Sequence, residues 1–443
     1  MGIRLSDHFT YKKLLRFVLP SIAMMVFISV YGVVDGFFVS NFAGKTSFAA
    51  INLVMPFVML LGGIGFMVGT GGTALVSKVL GEGDREKANR YFSMMVFLTL
   101  LLGVLLTAVG IAAMEPVARF LGATDAMIAD SVLYGRIVVG FTTAFMLQNV
   151  FQSFLIAAEK PKLGLLATIA AGLTNILLAA LFVGGFGWGV AGAAIATGIS
   201  QCVGGLLPLF YFLRPNDSLL RLVRTKPELA PLVKACTNGS SELMSSISSS
   251  VVSMVYNHQL LEYIGEDGVS AYGVLMYVQF IFVAIYIGYS VGCAPVIGYH
   301  YGAGNRDELK NLLRKSALLI GSAGVLLTLL ARLLASPLAS IFVGYDETLH
   351  ALTEHAFRLF SFSFLLSGFN IFTSAFFTAL NNGFVSAAIS FLRTLLFQTC
   401  CVLVLPVLFD IDGIWWAITA AEVFAFAISL TFLLTKRKKY GYM

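Results

Sequence analysis

The chain has 443 residues, of which 58% are hydrophobic and only 12% charged, with a mean hydropathy of +0.87. A soluble globular protein carries about 25% charged residues, so one soluble domain, or several, is excluded and a chain with many membrane crossings is indicated. The net charge of +6 invites a polyanion-binding reading, but where the charges sit excludes nucleic acid as a partner.

The opening MGIRLSDHFTYKK is polar, and the apolar run behind it is too long for a cleavable signal core and lacks a small-residue cleavage site. Apolar runs then recur at about 14–38, 47–77, 91–113, 129–157, 163–184, 189–213, 232–260, 268–299, 313–334, 351–379, 384–408 and 413–435. A helix of about 20 residues spans a hydrocarbon core of about 30 Å, so these predict twelve transmembrane helices. The two terminal segments together with alternate connections hold 23 of the 29 Lys and Arg residues, against three on the other side. That asymmetry predicts a multi-pass protein of the cell membrane with both termini cytoplasmic. The basic residues therefore read as topology signals. The five cysteines lie in or beside apolar runs and suggest no disulfide framework.

The stretch GVLLT occurs at Gly103–Thr107 and again at Gly324–Thr328, 221 positions on. At the same offset Gly81-Glu-Gly-Asp-Arg85 falls on Gly302-Ala-Gly-Asn-Arg306, and Ala50, Met55, Ile64 and Gly71 fall on Ala271, Met276, Ile285 and Gly292. After a three-residue gap, GVAGAAIA at 189 aligns with GIWWAITA at 413. The chain therefore reads as an all-α polytopic membrane protein of two pseudo-symmetric six-helix bundles, 1–213 and 232–443, around a central cleft. The segment 214–231 is the expected cytoplasmic linker. Because six is even, both copies enter the membrane in the same direction, as in transporters built of parallel repeats.

Ionisable residues inside a membrane are costly and mark function by default. Asp35, in VYGVVDGFFVS, lies near the outer end of the first helix, four turns beyond Pro20, which permits a bend. Asn175 and Thr197, on the fifth and sixth helices, supply an amide and a hydroxyl to the same bundle. Together the three can bind a proton or Na⁺, with an interfacial, solvated Asp35 as the plain alternative. Glu242 opens the hydroxyl-rich stretch NGSSELMSSISSSVVS. Small residues serve close helix packing, but packing leaves the acid unexplained, and it can attract a cationic substrate or carry a second proton. Glu422 and Arg393, at matching depths of the last two spans, read as a structural ion pair or as part of a transport site in the second bundle. Arg136 and Arg358 correspond across the repeat and can snorkel to the interface. No constellation of metal ligands is expected.

Ala43-Gly-Lys-Thr46 resembles the tail of a P-loop, but the first glycine is absent and the setting is an external turn. The glycines of 62–72 follow no strand and read as helix packing. With no nucleotide-binding domain, nucleophile elbow or zinc motif, neither an enzyme nor an ATP-driven pump is expected, and no cofactor. An ion gradient remains as the energy source.

The stretches VVDGFFVSNFAG, GTGGTALVSKVLGEGDREKANRYF, GEDGVSAYGVLMYVQFIFVAIYIGYSVG and APVIGYHYGAGNRDE resemble the multidrug and toxin extrusion (MATE) transporters, in their bacterial MepA-like branch. The resemblance spans essentially the whole chain. It implies a two-lobed, twelve-helix antiporter that exports organic cations in exchange for H⁺ or Na⁺. Asp35, Asn175 and Thr197 match that family's coupling-ion site in the amino-terminal lobe. Ala179 stands where many members carry a second aspartate, and a tenth-helix aspartate of another branch is missing, Glu354 being the one acid of 352–380. Glu242 and Glu422 look typical of the MepA-like branch. The expected partners are small organic cations and the lipid bilayer, and the chain is expected to work as a monomer. Two other readings stay open: a flippase for a lipid-linked precursor, which would favour a densely basic cleft, and a non-transporting scaffold or receptor.

Overall fold

A computed structural model describes residues 3–42 and 45–443, and among these the side chains of 3–32, 47 and 50–443. The side chain of Asp35, residues 43 and 44, and the side chains of Lys45 and Thr46 lie outside the described residues. The elements are helices α1 (Tyr11–Phe42), α2 (Lys45–Gly81), α3 (Arg85–Phe120), α4 (Ile128–Gly140), α5 (Thr142–Ala157), α6 (Pro161–Ala179), α7 (Gly189–Leu213) and α8 (Leu229–Tyr263). They continue with α9 (Glu266–Gly302), α10 (Arg306–Leu333), α11 (Ala335–Val343), α12 (Glu347–Phe360), α13 (Phe364–Ala379), α14 (Gly383–Phe391) and α15 (Gln398–Tyr440). π-helical turns at Ala180–Gly185 and Leu392–Phe397 extend α6 and join α14 to α15.

Among the described residues, nine helical stretches are long and apolar enough to cross a membrane, and α4 with α5, bent by 53°, makes a tenth. The serines of α8 dilute its hydropathy, so its 35 residues fall outside that set although they are long enough. The stretch Gly383–Tyr440 counts once there with 58 residues, about 87 Å at 1.5 Å per residue and far longer than one crossing. Phe409 and Asp410, with non-helical backbone at φ −130° and +49°, divide it. The twelve crossings expected from the sequence are thus all present.

The duplication is visible in the backbone. Asp84 caps α3 by accepting from the Lys87 N–H, and Asn305, 221 positions later, caps α10 by accepting from the Glu308 N–H. The residue before each cap is a glycine at positive φ, Gly83 at +88° and Gly304 at +68°, which only glycine adopts freely. The fourth crossing breaks at Phe141, between α4 and α5. The tenth passes through a 3₁₀ turn at Ser361–Ser363 in the same repeat register. Hydropathy alone predicts one continuous helix for each of these crossings.

The halves α1–α7 and α8–α15 meet chiefly where α2 packs on α8 and α1 on α9. Their closest approach lies toward the face that carries both termini. A Cβ on Gly81 would collide with the Tyr299 carbonyl, and one on its repeat counterpart Gly302 would collide with that of Lys78. Gly239 meets the Met67 carbonyl in the same way. Small residues let the backbones touch there. Gly239→Ala is therefore expected to lose roughly 1–3 kcal/mol of stability by overpacking. Gly273→Ala, with nothing within 4 Å of its Cβ among the described residues, is expected to be neutral or to gain up to about 1 kcal/mol from helix propensity. Thermal unfolding of the two purified variants compares them directly.

The first residues form a strap over this seam. The Leu5 N–H donates to Glu159 Oε1 (2.7 Å) in the α5–α6 turn, and burial pushes the Glu159 carboxyl above the ordinary glutamate range. Four residues on, the Phe9 N–H donates to Glu308 Oε1 (2.9 Å), and the Phe9 carbonyl accepts from Asn311 (3.0 Å) and Lys315 (2.6 Å) of α10. His8 Nδ1 lies 2.6 Å from Glu308 Oε2. Leu5 and Phe9 are both fully buried. The strap thus ties a turn of the first half to a helix of the second.

Candidate functional site

A cavity of about 260 Å³ lies among α8, α9, α13, α14 and α15 of the second half. From α8 it receives Glu242, Ser245, Ser249 and Ser253, whose spacings of three and four residues bring them to one face of the helix. Ser246 points elsewhere, toward Gly63 of α2, where a Cβ would sit 3.5 Å from its hydroxyl. The serine-rich stretch therefore does two jobs, one face wetting a cavity and another admitting a neighbouring helix. On the far wall Ser374 bonds to the hydroxyls of Ser386 (2.9 Å) and Ser390 (3.0 Å). Gln279 and Ser290 also line the cavity, and Gln279 Oε1 and Ser290 Oγ are buried with no hydrogen-bond partner among the described residues.

Arg393 reaches the cavity from the π-turn Leu392–Phe397. Such turns insert a residue into the helical register and often mark functional positions. Its Nη2 donates to Glu422 Oε1 at 2.7 Å, while Nε donates to both carboxylate oxygens at 3.0 and 3.1 Å. The depth match noted in the sequence is thus a two-pronged ion pair. Glu422 is 2% exposed. Its remaining acceptor capacity is taken by Asn370 Nδ2, 2.6 Å from Oε2, and Asn370 is in turn held by the Ser429 hydroxyl at 3.0 Å. Among the described residues, Glu242 and Arg393 are the two charged ones in the wall. Arg393 is paired with Glu422, whereas the Glu242 carboxyl has no ion pair or hydrogen bond among the described residues, which leaves Glu242 as the cavity's one acid without a counter-charge.

In the first half, Asn175 Nδ2 of α6 donates to Thr197 Oγ1 of α7 at 3.3 Å. Asn175 is buried, and its Oδ1 has no partner among the described residues. One turn earlier α1 closes on α6, where a Cβ at Gly172 would meet the Phe27 ring. The structure therefore joins two of the three residues grouped from sequence, the third being Asp35. Among the described residues no group of three or more His, Cys, Asp or Glu can hold a metal ion.

The sequence reading missed Asn370. The signal was available, because Asn149 stands 221 positions earlier and also spends its side-chain amide inside the bundle, on the Gly62 carbonyl at 3.0 Å.

Comparison with known proteins places this architecture. The MatE family profile matches twice, at residues 20–181 and 243–402, once in each half. The multidrug export protein MepA of Staphylococcus saprophyticus is 25% identical over 437 residues, covering 96% of this chain and 94% of that protein. MepA of Staphylococcus aureus strain MRSA252 is 23% identical, covering 93% and 91%. Among solved structures, the outward-facing conformation of a multidrug resistance MATE family transporter superposes with a TM-score of 0.93 at 21% identity, covering 98% of each chain. A MOP superfamily transporter from Pyrococcus furiosus, whose binding pocket is described as reversed in polarity, superposes with a TM-score of 0.89 at 22% identity, covering 98% of this chain and 96% of that one. At these identities the superpositions speak for the fold.

Proposed function

The chain belongs to the MatE family, and from that premise we propose that it is a secondary active transporter that exports small organic cations in exchange for H⁺ or Na⁺. The observation that carries the reading is the unpaired carboxyl of Glu242 in a polar cavity whose one guanidinium, among the described residues, is already paired with Glu422. A cationic solute finds there a charge to pair with, and the hydroxyls and amides around it can orient the rest. The relatives named as multidrug export proteins point to the same substrate class.

In this scheme the basic face is cytoplasmic by its excess of Lys and Arg, so the glycine-lined seam and the strap close the inner side. Residues 1–213 and 232–443 move as the two units, joined by 214–231, within one monomer of the cell membrane. An ion taken by Glu242, or by the Asp35–Asn175–Thr197 group, weakens the hold on a bound cation. Release of that ion on the other side restores it. For one monovalent cation against one proton the membrane potential cancels, and a pH difference of one unit supports about ten-fold accumulation. A flippase for a lipid-linked precursor is disfavoured, because Arg393 offers a pyrophosphate no free charge.

The test is uptake of a fluorescent organic cation into proteoliposomes under proton and sodium gradients imposed separately, each directed out of the vesicles. Accumulation driven by one gradient and absent without it is the expected result. Ion-independent behaviour under both would refute exchange and leave the scaffold reading.

A further inference from the structure

We propose that the groove between the strap and the first turns of α1 is a binding site for the phosphate of an anionic phospholipid. The groove encloses about 540 Å³ and is lined by Arg4, Asp7, Thr10, Lys12, Lys13 and Arg16, four cations against one carboxylate. That carboxylate is already engaged, with Asp7 2.9 Å from the Lys13 ammonium. Arg4 sits in the field of Asp7 and Glu159. Lys12 and Arg16 form no ion pair among the described residues, so two positive charges face the groove without a protein partner.

The same helix shows which source of phosphate fits. Lys12, Leu15, Arg16 and Leu19 follow one another at i, i+3, i+4 and i+7 and share one face. All four are exposed, Leu15 to 42% and Leu19 to 61%. Moving along α1 from the strap, that face carries Lys12, then Leu15 beside Arg16, and ends on the more exposed Leu19. A phospholipid matches this order, its phosphate at headgroup level against Lys12 and Arg16 and an acyl chain along Leu15 and Leu19. A soluble phosphate would leave the apolar part unused. Clusters of Lys and Arg at this depth attract anionic lipid. A lipid seated here touches both α1 and the strap, and so bears on the joint that must part when the terminal face opens.

The experiment titrates full-length detergent-solubilised protein with dioleoyl phosphatidylglycerol, dioleoyl phosphatidylcholine and glycerol 3-phosphate, and counts retained ligand by native mass spectrometry. Phosphatidylglycerol is expected to bind about ten-fold or more tighter than phosphatidylcholine. Lys12→Gln/Arg16→Gln is expected to weaken it roughly thirty-fold. Lys310→Gln/Arg314→Gln, an equal charge change at exposed positions of the same face, should leave it unchanged. If the first double variant is not monodisperse, Arg16→Gln alone is expected to weaken binding about five-fold. Equal retention in the groove and control variants overturns the proposal, as does equal binding of the two lipids. Displacement by glycerol 3-phosphate at matching concentration would also overturn it, by assigning the groove to free phosphate.

Discussion

Glu422→Gln is expected to cost roughly 3–5 kcal/mol of stability, because it strands the Arg393 guanidinium in the membrane interior without its counter-charge. The carboxylate takes three hydrogen bonds from Arg393 and one from the Asn370 side chain, and glutamine can accept at one oxygen only. Arg393→Met strands the opposite charge and should cost a similar amount. The double variant Arg393→Met/Glu422→Gln removes both charges and is expected to recover most of the loss, since a buried pair is worth little against an apolar replacement. A double-mutant cycle by thermal unfolding in detergent measures the coupling. If each single variant melts within 1 kcal/mol of the native protein, the pair is no lock. Where Glu422→Gln survives folding, its freed guanidinium balances Glu242, and transport of cations should fall as well.

Glu242→Gln should behave in the opposite way. Its carboxylate holds no partner among the described residues, so neutralising it removes no bond and the melting temperature is expected to stay or rise. Gradient-driven uptake of a monovalent organic cation, however, is expected to fall by roughly two orders of magnitude. A charge pair at 4 Å is worth about 4 kcal/mol at an effective dielectric of about 20, and part of that is returned by desolvation. Glu242→Asp, which keeps the charge but withdraws it by one methylene, should retain a measurable fraction. Uptake assays on the three proteins at equal reconstituted amounts decide the matter. Native-like uptake by the glutamine variant would move the coupling role to the first half, where Asn175 and Thr197 already meet.

Much of the architecture was legible because hydropathy and repetition are properties of the chain itself. The offset of 221 predicted two bundles, and the paired caps at Asp84 and Asn305 show that the repeat extends to single hydrogen bonds. What hydropathy cannot express is backbone register. The break at Phe141, the 3₁₀ turn at Ser361–Ser363 and the π-turn that presents Arg393 leave the apolar count of their spans unchanged. The Arg393–Glu422 pair was foreseen from depth alone, since two opposite charges at one level of a membrane have few other places to go. Asn370 was not, because a lone asparagine in an apolar run carries no charge to betray it. Nor was the strap, whose partners lie far along the chain.

That last point bears on how the protein is made. Phe9 waits for Glu308, 299 positions downstream, and at about 5–20 residues per second that stretch takes tens of seconds to synthesise. Phe9 thus leaves the ribosome long before its partners do, and until α10 has been translated its backbone N–H and carbonyl lack the side chains that hold them in the finished fold.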